Sequence, residues 1–344
     1  MIDLEFYKNK KVFITGHTGF KGTWLCKILS DAGAIVKGYA LEPEENSLFA
    51  KINLGRKINS IYGDIRNLEN LKKEFDEFNP EIVIHLAAQP IVRKAYEMPV
   101  YTYETNVMGT VNILECIRTN KSVKSFLNVT TDKVYENNEE EYAYKEEDRL
   151  NGYDPYSNSK SCSELVTDAY KKSYFSDNSV RISTARAGNV IGGGDISRDR
   201  IIPDCVRAAK KNEDIIIRNP NSIRPYQHVL EALFAYLMIA QKQYDEKYVG
   251  NYNVGPNEED IIRTEELVKI FCNKWGDVKY INQTANGPFE SNYLKLDCNK
   301  IKNIFNWKPI WNIDKAVEKI VEFEKCDIEN LEECMKKQIE DYIK

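Results

Sequence analysis

No stretch of the 344-residue chain reaches the run of about 18 apolar residues that a membrane-spanning helix needs, so no membrane partner is expected. The opening MIDLEFYKNKK lacks the apolar core of a secretory signal. Neither sign of charge dominates: 48 Lys and Arg against 53 Asp and Glu leave a formal charge of −5, with both signs interspersed. Without a basic face, nucleic acid is not an expected partner. The eight cysteines are scattered and include no C-x-x-C pair. That pattern argues against a metal site and for reduced, structural thiols in a cytoplasmic protein. There is no internal repeat and no low-complexity tract.

What is present is enough apolar material, 42% of the residues, to bury a large core in one big domain or two interlocked ones. The first half alternates short apolar runs with helical patterns. KVFITG (11–16), AIVKGYA (34–40), SIYGD (60–64), EIVIHLAA (81–88), SFLNVTT (125–131) and SVRISTARAGNV (179–190) read as strands. Helical patterns run over 23–32, up to about Phe78, and across 104–120. Strands apolar on both faces and separated by helices predict a doubly wound parallel α/β sheet of Rossmann type. A further helix should open behind Asp154 as its N-cap, with Pro155 in the first turn. The acidic run NNEEEYAYKEED (137–148) reads as a solvated loop near the active-site mouth, and Gly192–Gly194 as a flexible loop. Residues 1–188, with about 223–250 returning to them, are assigned to the cofactor domain. Residues 189–222 and 251–344 are assigned to a smaller mixed α/β substrate lobe, which the tryptophans of WKPIW (307–311) help to close.

Two motifs carry chemistry. TGHTGFKG (15–22) follows the first strand and opens the first helix, and its Gly16, Gly19 and Gly22 permit a tight turn with close backbone approach to a pyrophosphate. Asp64, after the third strand, is placed to meet an adenine. The acid that often holds the adenosine ribose is missing from the end of the second strand, where Glu42 is the nearest carboxylate. The His17 ring should crowd the loop, weakening the binding of NAD, which is expected in preference to NADP. The second motif, DPYSNSKSCSE (154–164), spaces Tyr156 and Lys160 one helical turn apart. An ammonium there should pull the phenol below its usual value and make it a general base.

Taken in order with HLAAQ (85–89) and NVMGT (106–110), these motifs resemble the extended short-chain dehydrogenase/reductase family over roughly the first 190 residues. The resemblance implies an NAD-dependent enzyme. It places Gly16, His17, Thr18, Gly19, Phe20, Gly22, Asp64, Ile65, Leu86, Ala87, Ala88, Asn106, Tyr156 and Lys160 against the cofactor, with His85 structural. TTDKVY (130–135) is similar to the nucleotide-sugar 4,6-dehydratases, and its Thr-Asp-Lys to the branch that acts on CDP-glucose. RAGNVIGGGD (186–195), IIPD (201–204), IRNPNSIRPYQHVLE (217–231) and LKLD (294–297) agree. By that resemblance Tyr156, supported by Lys160, takes the C4 hydroxyl proton. Lys133 takes the C5 proton, Asp132 protonates the departing C6 hydroxyl, and Thr131 hydrogen-bonds the C4 oxygen. Gln89, Thr131, Asn189, Arg198 and Arg224 would contact the nucleotide-diphosphate sugar, with Arg200 a further candidate. The resemblance also implies a homodimer or homotetramer. A CDP- or GDP-linked heptose as substrate, a nucleotide-sugar 4-epimerase and a non-catalytic NAD-binding protein stand as alternatives.

Overall fold

Residues 12–15 are buried at successive rather than alternate positions, as a strand covered on both faces must be. In the computed structural model, which describes residues 2–177, 179–283 and 293–344, this segment is β1 (Lys11–Thr15). It lies within a seven-stranded parallel sheet with β2 (Ile35–Ala40), β3 (Asn59–Tyr62), β4 (Ile82–His85), β5 (Ser125–Val129), β6 (Arg181–Ala187) and β7 (Asn251–Val254). The spatial order is β7-β6-β5-β4-β1-β2-β3. The direction of winding therefore switches between β1 and β4, and the crevice beyond their carboxyl ends is where such sheets bind ligands.

Helices cover both faces. On one, α1 (Phe20–Asp31) and a later helix, Val229–Lys242, pack around Trp24, Leu25, Leu29, Leu233 and Leu237. On the other, α2 (Leu68–Phe78), α3 (Gly109–Thr119) and α4 (Pro155–Tyr174) close over Phe13, Phe75, Ile113, Ile117 and Phe126. The Val229–Lys242 helix, α5, is apolar nearly all round because it is buried on every side. The start of α4 follows its sequence: the Asp154 carboxylate caps the amides of Tyr156 and Ser157, with Pro155 in the first turn. The smaller lobe has its own core, in which Ile202, Val206, Leu267, Phe271, Val317 and Ile320 meet. There the helices Ile201–Lys211, Thr264–Trp275 and Ile313–Glu324 gather beside a two-stranded parallel pair, Ile215–Ile217 with Tyr280–Asn282.

Several expectations need correction. Asn251–Val254 is not part of the lobe but the edge strand of the main sheet, paired with β6. The acidic run is not wholly a solvated loop. Its Ala143–Tyr144 pairs with Lys295–Leu296, Tyr144 is buried, and the Glu146 carboxylate accepts from the Asn253 amide at 2.8 Å. The segment 192–194 is packed: a Cβ on Gly193 would sit 2.2 Å from the Phe323 ring, and its carbonyl accepts from the Trp24 indole at 3.0 Å. The WKPIW tryptophans join the main core, where Trp311 packs 4.8 Å from the His228 ring and 5.2 Å from Tyr342. The helix read across 104–120 begins as a π-helical turn, Glu104–Met108, an irregularity that often marks functional positions. Among the described residues no helix is long and apolar enough to cross a membrane.

Candidate active site

The glycine loop runs from the end of β1 into α1. Gly16 has φ +77°, and a Cβ there would lie 2.7 Å from the Ala87 amide nitrogen. A Cβ on Gly22 would lie 2.2 Å from the Gly16 carbonyl oxygen. Only glycine fits either place. The turn therefore lies flat against Leu86 and Ala87, and α1 begins at Gly19 with no side-chain cap. Its first amides are left for an anionic ligand, so the residues present fit a dinucleotide's pyrophosphate. Thr18 ties this loop to the Leu41 carbonyl at 3.0 Å.

His17 does not crowd that loop. Its ring is fully buried, beneath Gly38, edge-on to Phe49 and 2.7 Å from the Ser60 hydroxyl. Burial pushes its pKa down to about 4, so it brings no positive charge. The Asp64 carboxylate is held by the Arg66 guanidinium at 2.7 Å, which lowers its pKa. Glu42 is exposed just past β2. Ile65 packs where a Cβ on Gly109 would meet it.

At the other end of the crevice α4 presents Tyr156 and Lys160. The expected electrostatics are reversed. The Tyr156 phenol is pushed up to about 12, chiefly by burial; hydrogen bonding to Thr131 and the Arg200 charge oppose the shift, and Asp132 and Asp154 add to it. Lys160 points its ammonium at the Val129 carbonyl, 3.1 Å away, and burial pulls it down to about 8. Asn106, in the π-helical turn, accepts from the Gln89 amide at 2.8 Å and donates to the Gln89 carbonyl and to Ser159. It thereby fixes the loop after β4 to α4. His85 bridges Thr15 at 2.7 Å and Thr110 at 3.3 Å, and burial lowers it to about 3, as a structural histidine requires.

The turn after β5 completes the group. Thr131 donates to Asp132 Oδ1 at 2.9 Å, and Lys133 Nζ reaches the same oxygen at 2.8 Å and Asn189 Oδ1 at 3.2 Å. Asp132 is fully buried, and its Oδ2 has no protein partner. Thr131, Lys133, Tyr156, Asn189, Arg200 and Arg224 line one cavity of about 270 Å³ between the sheet and the lobe. Two residues expected to contact the substrate do not line this cavity. Gln89 spends its side chain on Ile91 and Thr102. Arg198 lines a neighbouring opening with Lys94 and Arg207.

The sequence reading missed Lys21. From the first turn of α1 it reaches the same cavity, and burial, reinforced by Arg200 and Lys160, lowers it to about 7. Its place one residue before Gly22 was the available signal. Tyr236 of α5 was also missed: it is fully buried, its hydroxyl has no protein partner, and burial, with smaller contributions from Tyr156 and Asp132, raises its pKa.

This geometry agrees with what the chain is similar to. A CDP-glucose 4,6-dehydratase of Salmonella typhimurium is 46% identical, over 100% of this chain and 99% of that protein. Among solved structures, a dTDP-glucose 4,6-dehydratase from Bacillus anthracis in complex with NAD superposes with a TM-score of 0.77 at 22% identity, covering 91% of this chain and 96% of that one. A UDP-glucose 4-epimerase from Thermus thermophilus, also an NAD complex, gives 0.80 at 23% identity over 92% and 99%. Fold is thus shared by dehydratases and epimerases. Residues 13–320 match the GDP-mannose 4,6 dehydratase family, and the chain belongs to it.

Proposed function

We propose that the protein converts CDP-D-glucose to CDP-4-keto-6-deoxy-D-glucose and water, using NAD that is restored within each turnover. The observation that best supports this is the Thr131–Asp132–Lys133 turn beside Tyr156, in a chain 46% identical end to end to a CDP-glucose 4,6-dehydratase. An epimerase has no use for an acid and an amine joined at 2.8 Å.

When bound, NAD supplies a hydride acceptor and donor and a positively charged ring. The chain's own groups handle the protons. Tyr156 receives the C4 hydroxyl proton. With its phenol at about 12 in the protein alone, it acts as a base only when further positive charge stands beside it, with Lys160 and Arg200 contributing. Once C4 is a ketone, the C5 hydrogen is acidic. Lys133 removes it after passing its own proton across the 2.8 Å contact to Asp132. That one shift turns an ion pair into a base and an acid. Asp132 then protonates the C6 hydroxyl, which leaves as water. Asn189, Arg200 and Arg224 hold the nucleotide diphosphate from the lobe side, arginine offering paired donors to phosphate oxygens.

We further propose a homo-oligomer. Val100 (70% exposed), Met108 (50%) and Leu165 (56%) stand out on the neighbouring segment 99–119 and helix α4, apolar side chains that a second copy would cover.

Incubation with CDP-, dTDP-, GDP- and UDP-linked glucose tests the reading. Only the CDP sugar should yield the alkaline absorbance of a 4-keto-6-deoxy product. A 4-epimer with no such absorbance would replace this reading with the epimerase.

A further inference from the structure

Of the loop and first turn over residues 15–22, a single residue lines the cavity that Thr131 and Tyr156 share, and it is Lys21. The glycines of that segment are spent on close backbone contacts, and the uncapped amides at the start of α1 fit a dinucleotide's pyrophosphate. Lys21 instead reaches the chamber between the sheet and the lobe, which Asn189, Arg200 and Arg224 also line.

The other cations of this wall have acceptors in the protein. Arg200 meets Asp195 at 3.2 Å and Lys133 meets Asp132 at 2.8 Å. Arg93 and Arg218 both face Asp199, and Arg224 donates to the Ile223 carbonyl at 3.0 Å. Lys21 is the exception: among the described residues nothing accepts a hydrogen bond from its ammonium or pairs with its charge. Its Nζ stands over the ring of Tyr236, 5.9 Å from the centroid. That ring is fully buried in the main core, so it holds the ammonium in place. An aromatic face attracts a cation yet leaves all three of its N–H donors unspent. Burial, reinforced by the Arg200 and Lys160 charges, lowers the Lys21 pKa to about 7, and a bound anion would restore its charge. A half-buried ammonium with no acceptor of its own, facing a cavity, is completed by an anionic ligand.

We propose that Lys21 is a substrate-binding residue whose ammonium donates to a phosphate oxygen of the nucleotide diphosphate, alongside Arg200 and Arg224. The inference rests on the substrate class proposed above. A charged phosphate is a better acceptor for an ammonium than a neutral sugar hydroxyl. The cofactor's own pyrophosphate is the lesser candidate, because no other residue of its loop lines this cavity. One short segment then serves both ligands: its backbone amides take the cofactor, and its one cavity-facing side chain takes the substrate.

The test compares the full-length parent with Lys21→Met, which keeps an unbranched stem against the Tyr236 ring and removes the charge, and with Lys21→Arg, which keeps the charge. Titration calorimetry gives the Kd of CDP on NAD-charged protein and, separately, the Kd of NAD; initial rates give the KM for CDP-glucose. Lys21→Met should weaken CDP by about tenfold or more and raise the KM to match, while the NAD Kd stays in place. Lys21→Arg should recover part of the loss. An unchanged CDP Kd overturns the proposal. If the KM alone rises, the contact is to the sugar; if NAD weakens as much as CDP or more, the contact is to the cofactor. Either result also overturns it. If Lys21→Met does not fold by circular dichroism, Lys21→Gln is read by the same criteria. Failure of the parent itself to bind CDP would instead overturn the assigned substrate, leaving the two failures distinct.

Discussion

Two ionic pairs, one on α4 and one in the turn packed against it, meet burial in opposite ways. Glu164 and Arg186 face each other at 3.0 Å with side chains 2% exposed. Glu164 also accepts from Thr130 and Thr184, and Arg186 donates to the Tyr135 hydroxyl and the Glu146 carbonyl. Few valences are left over, so the pair ties β5, β6, α4 and the acidic segment together as scaffold. Asp132 and Lys133 are also paired, yet Asp132 Oδ2 has no protein partner. A native core rarely leaves such atoms unmet. Satisfied charges hold the shape; the unmet oxygen of Asp132 belongs to the group that the proposed reaction uses.

The contrast can be broken from either side. Tyr156→Phe removes only the proton acceptor and should cut turnover by about 10²–10⁴-fold with the unfolding midpoint unmoved; activity within a few-fold of the parent would remove Tyr156 from its role. Glu164→Ala strands the buried Arg186 charge and should destabilise the fold by about 3–5 kcal/mol, seen as a lowered urea midpoint. His17→Ala empties a packed site between Gly38, Phe49 and Ser60. It should cost about 2 kcal/mol and not tighten NAD binding, which titration calorimetry checks. A pH-dependent effect concerns Glu231, whose carboxylate accepts from the Trp311 amide and the Tyr342 hydroxyl. Burial raises it to about 7, so the folded state holds that proton more tightly than the unfolded chain does. The stability it confers is full below the ordinary carboxylate range and is lost as pH rises through about 7. Unfolding free energies from urea titrations across that window should fall by up to about 1.4 kcal/mol per pH unit, and the slope should flatten in Glu231→Gln.

Period and punctuation made the sheet and α4 legible, because strands buried on both faces and an Asp-Pro cap are written in adjacent residues. What stayed hidden depends on direction and on distant partners. The spacing of Tyr156 and Lys160 places both on one face of α4, but not that Lys160 turns to Val129 while burial raises the phenol. The position of His17 in the loop is plain, whereas the turn of its ring beneath Gly38 is not. The acidic run looked solvated because the residues that bury Tyr144 and Glu146, such as Asn253, come more than a hundred positions later. Lys21 reads as one more surface lysine until α1 is set against the cavity.

The central claim is that Asp132 is the acid of a dehydration that begins with oxidation at C4. Asp132→Asn keeps the size of the side chain and removes the acid. Mixed with NAD and CDP-glucose in a single turnover, it should show the absorbance of reduced nicotinamide rise and persist, with no 4-keto-6-deoxy product. Product formed at the parent's rate, or no reduced nicotinamide at all, would contradict the account.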